Sequence, residues 1–235
     1  MSGAASALYG IFEKLPAECG FYRAAIKYVE FLREKGIEPV FPEILPAESR
    51  RLDIKALKDG YLCAMSDLPS ASDVIPNDIS VGYEGGLVVV GDNNTGKTVY
   101  LRSVGTAQLL AQSGLPIICE KASISVRSSI YTQFAAAEKD FTVSDVSGRF
   151  EEEVKQMAKI NSELDGGSLV LLNETFQTTA YAEGAAGLLP ILRHWSEKGA
   201  AWLLATHLRE LLPMMRSGEA VILETKPGYR LERKE

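Results

Sequence analysis

The run Gly91-Asp92-Asn93-Asn94-Thr95-Gly96-Lys97-Thr98 lies between an apolar stretch, Leu87 to Val90, and a helical pattern from Lys97 to Gln112, and it constrains the fold more than any other segment. It has the form Gly-x4-Gly-Lys-Thr, the P-loop pattern, which requires a buried strand before it and a helix after it. Both flanks meet that requirement. The two glycines allow a tight backbone path, while exposed N–H groups and the positive end of the following helix suit phosphate oxygens. Lys97 can reach the terminal phosphates, and the Thr98 hydroxyl can ligate Mg2+. The expected nucleotide-binding set is therefore Gly91, Asp92, Asn93, Asn94, Thr95, Gly96, Lys97, Thr98 and Val99, with ATP and Mg2+ as the ligands.

Around this loop, short apolar runs alternate with longer helical patterns. Leu87 to Val90, Ile117 to Cys119, Leu169 to Leu172 and Trp202 to Ala205 are predicted strands; Lys97 to Gln112, Phe150 to Leu164 and Tyr181 to Lys198 are predicted helices. Such alternation predicts an α/β domain with a mostly parallel, buried sheet flanked by helices. Pro190 falls inside the last helical pattern and is expected to kink or split it. Two hairpins add an antiparallel part: Leu52 to Ala56 returning through Lys58-Asp59-Gly60 to Tyr61–Met65, and Ala220 to Glu224 returning through Lys226-Pro227-Gly228 to Tyr229–Glu232. Upstream, Leu8, Ile11, Phe12 and Leu15, then Phe21, Ala25, Tyr28, Val29 and Leu32, predict two helices ending at Gly36. The stretch Glu38 to Arg50 has Pro42 and Pro46 and no periodicity, so it reads as a linker or edge segment. The expected division is a helical segment over 1–37 and a nucleotide-binding domain over 38–235.

Two strand ends carry further chemistry. Leu169-Val170-Leu171-Leu172 runs into Asn173-Glu174, and open parallel sheets place ligands at the carboxyl ends of their strands. In P-loop ATPases that place holds an Asp that positions Mg2+, followed in one large subclass by a Glu that orients or deprotonates the attacking water. Glu174 suits the second role, and Asn173, acting on the metal through water, replaces the first. Ala205-Thr206-His207 ends another apolar run, so His207 can sense the γ-phosphate or cap a helix. Lys97, Glu174 and His207 are thus the candidate catalytic residues. His194, the other histidine, sits mid-helix beside Trp195 and reads as packing or solvated.

Net charge and composition limit the alternatives. A formal charge of −6 argues against broad capture of nucleic-acid phosphates, which depends on Lys and Arg displacing counterions. Cys19, Cys63 and Cys119 are far apart and lack metal-ligand spacing, so three buried thiols in a cytoplasmic protein are expected. No apolar run approaches the roughly 20 residues that span a bilayer, so no membrane partner is expected.

Several further runs complete a resemblance. Val74-Ile75-Pro76-Asn77-Asp78 stands before the loop, Val99-Tyr100-Leu101-Arg102 continues it, and Leu109-Leu110-Ala111-Gln112-Ser113-Gly114 follows. After these come Ser147-Gly148-Arg149-Phe150, the Asn173-Glu174 strand end and Ala205-Thr206-His207. In order and approximate spacing, from Leu52 to Leu212, they resemble the C-terminal ATPase domain of the MutS family of DNA mismatch-repair proteins. The resemblance implies a P-loop NTPase of the ABC-ATPase type that binds and hydrolyses Mg-ATP as a nucleotide-gated homodimer. It also implies that Ile75 and Asn77 lie by the adenine, and that Ser147, Gly148 and Arg149 form a loop meeting the partner's nucleotide. Residues up to about Gly36 look like the tail of the family's helical lever. DNA would be handled only through domains that this chain does not contain. Asp92, Asn94, Thr95, Asn173, Thr175 to Thr179 and Phe150 to Glu153 depart from the usual residues and mark a divergent, MutS-like branch. Slow hydrolysis follows from Asn173, and a nucleotide-binding dimerisation module with negligible turnover is the alternative. A small-molecule kinase would need an acceptor pocket and an Arg-rich lid, whereas only Arg102, Arg127 and Arg149 fall between Thr98 and Asn173.

Overall fold

The structure is a computed structural model that describes residues 3–65, 73–82, 85–134, 143–176 and 181–234; for residues 3–14, 143–149 and 181 it describes the backbone alone. In chain order the first elements are α1 (Gly3–Glu34), β1 (Glu43–Leu45), β2 (Leu52–Leu57), α2 (Gly60–Ala64), β3 (Asn77–Val81), β4 (Gly86–Val90) and α3 (Lys97–Gln112). Then follow β5 (Lys121–Ser125), β6 (Ile130–Phe134), α4 (Val143–Glu163), β7 (Leu169–Asn173), α5 (Tyr181–Lys198), β8 (Ala201–Thr206), β9 (Val221–Lys226) and β10 (Arg230–Arg233).

The strands form two sheets, a larger one in the order β10-β9-β4-β8-β7-β6 and a smaller one in the order β1-β5-β2-β3. In the larger sheet β4 pairs parallel with β8 and β9, and β7 pairs parallel with β6 and β8, while β10 runs antiparallel to β9. Every residue of β4, β7 and β8 is buried. That is why these strands are unbroken apolar runs rather than alternating ones: helices cover both faces. Alternation survives in where the side chains go. Leu87 and Val89 pack with Leu101 and Val104 of α3 and with the smaller sheet. Val88 and Val90 pack with Met157 and Ile160 of α4 and with Leu188, Leu192 and Trp195 of α5.

Several elements differ from expectation, each for a physical reason. The first two predicted helices are one helix, α1, with Pro16 inside it. Proline's fixed φ is already helical, so it removes a bond without forcing a break. α5 likewise runs unbroken through Pro190. There Leu188, Leu189, Leu192 and Trp195 are all buried, and at roughly 1.5–3 kcal/mol each they outweigh a proline cost of about 3 kcal/mol.

The turn Lys58-Asp59-Gly60 does not return a strand. Asp59 instead caps α2, its carboxylate accepting from Leu62 N at 2.8 Å and pairing with Arg102 at 2.8 Å. The antiparallel partners of β2 are β3 and β5. Ile117 is buried, as its apolar run suggested, but makes only a single bridge to Val40. Of the Pro-bearing stretch Glu38 to Arg50, residues Glu43–Leu45 form an edge strand, β1, paired with β5. The C-terminal hairpin forms as predicted, as β9 and β10. Of the three thiols only Cys63 is buried; Cys119 is half-buried and Cys19 is exposed on α1, which packs against the rest of the molecule near Leu32. No helix among the described residues is long and apolar enough to cross a membrane.

Candidate nucleotide site

The registers of the central strands set the site. Val90 lies opposite Thr206, and Asn173 opposite Ala205, so β4, β7 and β8 end level with one another. The segments that follow these strands, beginning at Gly91, Glu174 and His207, therefore emerge side by side. This is the carboxyl edge of the sheet, where a loop-bound ligand meets residues from several strands.

Gly91 is buried where β4 ends, and a β-carbon there would lie 1.8 Å from Thr225 Oγ1 of β9, so any other residue would force Thr225 to shift. The loop then bends through Asn94 (φ 61°) and Gly96 (φ 92°), both left-handed, and Thr95 Oγ1 closes it by donating to Asp92 O at 2.7 Å. Gly96 is the N-cap of α3, which leaves the first N–H groups of that helix directed at the loop.

Lys97 is 4% exposed. Its ammonium donates to Gly91 O at 2.9 Å and Asp92 O at 2.8 Å, and lies 3.2 Å from Glu174 Oε1. A buried cation needs such a set of oxygens, because desolvation without partners is costly. The exposed Thr98 donates its hydroxyl to Asn173 Oδ1 at 2.8 Å. Glu174 has a left-handed φ of 55°, and its Oε2 accepts from His207 N at 3.2 Å and meets His207 Nδ1 at 2.8 Å. The carboxylate of Glu174 is thereby held between Lys97 and His207.

A cleft of about 670 Å3 adjoins this cluster, within the range of small-molecule and cofactor sites. Asn93 to Val99 and Glu174 line one part; Leu57, Leu62, Val74 and Ile75 give it an apolar wall. Gly91, Asn173 and His207 do not line the cleft, and Asp92 is exposed, 3.7 Å from Arg209. Asn77 lines the cleft, but its amide is engaged: Nδ2 donates to Tyr229 O at 3.1 Å and Oδ1 accepts from Leu231 N at 2.8 Å. It clamps the β9–β10 hairpin to β3.

Tyr229 and Leu231, expected from the sequence only as hairpin residues, also line the cleft. Tyr229 has a left-handed φ of 61°, and its ring lies against Gly96, 3.3 Å from where a β-carbon would stand. Only the exposed aromatic in a turn hinted at this. Ser147, Gly148 and Arg149 lie in the first turns of α4, a helix and not the expected loop; their side chains, like Gln177 to Thr179, fall outside the described residues.

The model of the MutS domain V family matches residues 87–226, more than half of the chain. The chain is 31% identical over 185 residues to "Endonuclease MutS2" of Streptococcus sanguinis (strain SK36), an alignment covering 78% of this chain and 22% of that protein. Over 201 residues it is 31% identical to "DNA mismatch repair protein MutS" of Microcystis aeruginosa (strain NIES-843 / IAM M-2473), with 83% and 21% covered. The chain thus spans about a fifth of the length of these relatives. With a matched segment that begins in β4 and runs through the loop, the Asn173–Glu174 strand end and His207 to the end of β9, this chain belongs to the MutS domain V family.

Proposed function

We propose that the chain is a P-loop ATPase of the ABC type, binding and slowly hydrolysing Mg-ATP as the nucleotide-gated dimerising part of a MutS-like DNA-handling protein. One observation carries this reading: Lys97, Thr98, Asn173, Glu174 and His207 come together at the level ends of three adjacent strands, under a glycine-bounded loop and beside a nucleotide-sized cleft. Within that reading residues 38–235 are the ATPase domain and residues 1–37 its helical appendage. The names of the relatives, a mismatch-repair protein and an endonuclease, support DNA handling by a larger protein.

The residues present fit Mg-ATP. The Thr98 hydroxyl and the Asn173 carboxamide oxygen are neutral oxygen donors 2.8 Å apart, a set suited to a hard cation whose charge is balanced by phosphates. The ion would neutralise charge on the β- and γ-phosphates. The rest is the protein's own work. Phosphate oxygens compete with Glu174 for Lys97, and a Glu174 oxygen released from Lys97 can accept a proton from, or orient, the attacking water. His207 holds the other oxygen and so limits where that carboxylate can turn. Asn173 favours a second reading, a dimerising nucleotide switch with negligible turnover, because its neutral amide holds metal-bound water less firmly than a carboxylate.

Replacing the lysine tests ATP binding itself. Lys97→Ala is expected to abolish binding of labelled ATP while keeping the native circular-dichroism spectrum; unchanged affinity would sink the assignment.

A further inference from the structure

The backbone after β7 is unusual. Glu174 and Phe176 both have left-handed φ, 55° and 61°, which residues with a β-carbon other than Asn and Asp rarely adopt. Such a turn persists where its surroundings over-determine it. Glu174 N donates to Ala205 O at 2.8 Å. The fully buried Thr175 donates its hydroxyl to Gln133 Oε1 of β6. Phe176 N donates to Glu153 Oε2 at 2.9 Å, and the Phe176 ring packs on Phe150 with centroids 5.5 Å apart. Glu153 and Phe150 are three residues apart on α4 and so share one face of that helix. Their neighbour Glu151 behaves differently, pairing on the exposed surface with Lys155 at 2.6 Å. Glu153 is half-buried and given to a backbone amide instead.

We propose that Glu153 is a positioning residue for Glu174. Its carboxylate captures the Phe176 amide by a charge-assisted hydrogen bond, fixes the left-handed turn and so sets the Glu174 carboxylate between Lys97 and His207. The role of Glu174 in hydrolysis rests on the ATPase reading; the positioning does not.

The test follows from His207, whose backbone amide and ring both meet Glu174 Oε2. The chain has two histidines, so a His194→Gln background leaves only the His207 imidazole signals in the NMR spectrum. Glu153→Ala should shift those signals at fixed pH and slow single-turnover ATP hydrolysis about tenfold or more, as misplacement of a catalytic group does. ATP affinity should stay within about twofold, since uniform binding is untouched. Glu153→Gln, which keeps an acceptor for the Phe176 amide, should restore both signals and rate. Unmoved His207 signals in Glu153→Ala, or a Gln variant that behaves like Ala, would overturn the proposal. If His207 responds as expected while the parent protein hydrolyses no ATP, the positioning role stands and the ATPase reading fails.

Discussion

Under the proposed ATPase reading, Asn173 is the residue expected to set the rate of hydrolysis. Its Oδ1 accepts from Thr98 at 2.8 Å, a contact that an aspartate would make equally well. The difference lies in charge: a carboxylate binds the water shell of a metal through charge-assisted hydrogen bonds, worth about 1.5–3 kcal/mol each. If that interaction strengthens in the transition state, Asn173→Asp should speed single-turnover hydrolysis about ten- to a hundredfold, most visibly at limiting Mg2+. An unchanged rate at every Mg2+ concentration would make Asn173 structural. Lys97, Thr98, Asn173, Glu174 and His207 were all legible in the sequence, because each follows directly from an apolar run or from the glycine pattern. Glu153 was not. Its role depends on the turn at Phe176, and the pattern Phe150-Glu151-Glu152-Glu153 gives no sign of which carboxylate faces inward.

The central elements were legible for a similar reason. β4, β7, β8 and α3 are set by long apolar runs or strong periodicity, and their predicted bounds agree with the structure to within a residue or so. β3, β5 and β6 went unread, since Asn77–Val81, Lys121–Ser125 and Ile130–Phe134 carry mixed side chains whose strand character comes from pairing with distant partners. α1 shows how unevenly an element can be anchored. Leu32 is 1% exposed and packs with Cys63, Val74 and Ile118, whereas Phe21, Tyr22 and Ile26 are exposed. Leu32→Ala should therefore cost about 2–5 kcal/mol in chemical denaturation, while Phe21→Ala should stay within about 0.5 kcal/mol of the parent. Equal costs would mean that the whole helix contributes to the core. Val74 connects this anchor to the site, for it belongs both to the Leu32 cluster and to the apolar wall of the cleft.

For the molecule as a whole, the proposed dimer makes a prediction about mass. In the proposed dimer the Ser147–Arg149 segment, whose backbone lies near the start of α4, would meet the partner's nucleotide. Glu174→Gln keeps an acceptor for His207 but removes the charge, so it should retain ATP and accumulate a dimer in light scattering. A strictly monomeric mass at saturating Mg-ATP would count against a shared site.

The clamp between Asn77 and the β9–β10 hairpin has a consequence for how the site comes into being. Its two hydrogen bonds join residues 152 and 154 positions apart, and the Tyr229 ring they secure lies against Gly96. Loop closure over such separations comes late in folding. During synthesis, which proceeds from the amino end, the glycine loop and the ends of β7 and β8 are made well before Tyr229 and Leu231. The nascent chain thus carries the glycine loop before the cleft is walled, and the ribosome must deliver the hairpin before the cleft is complete.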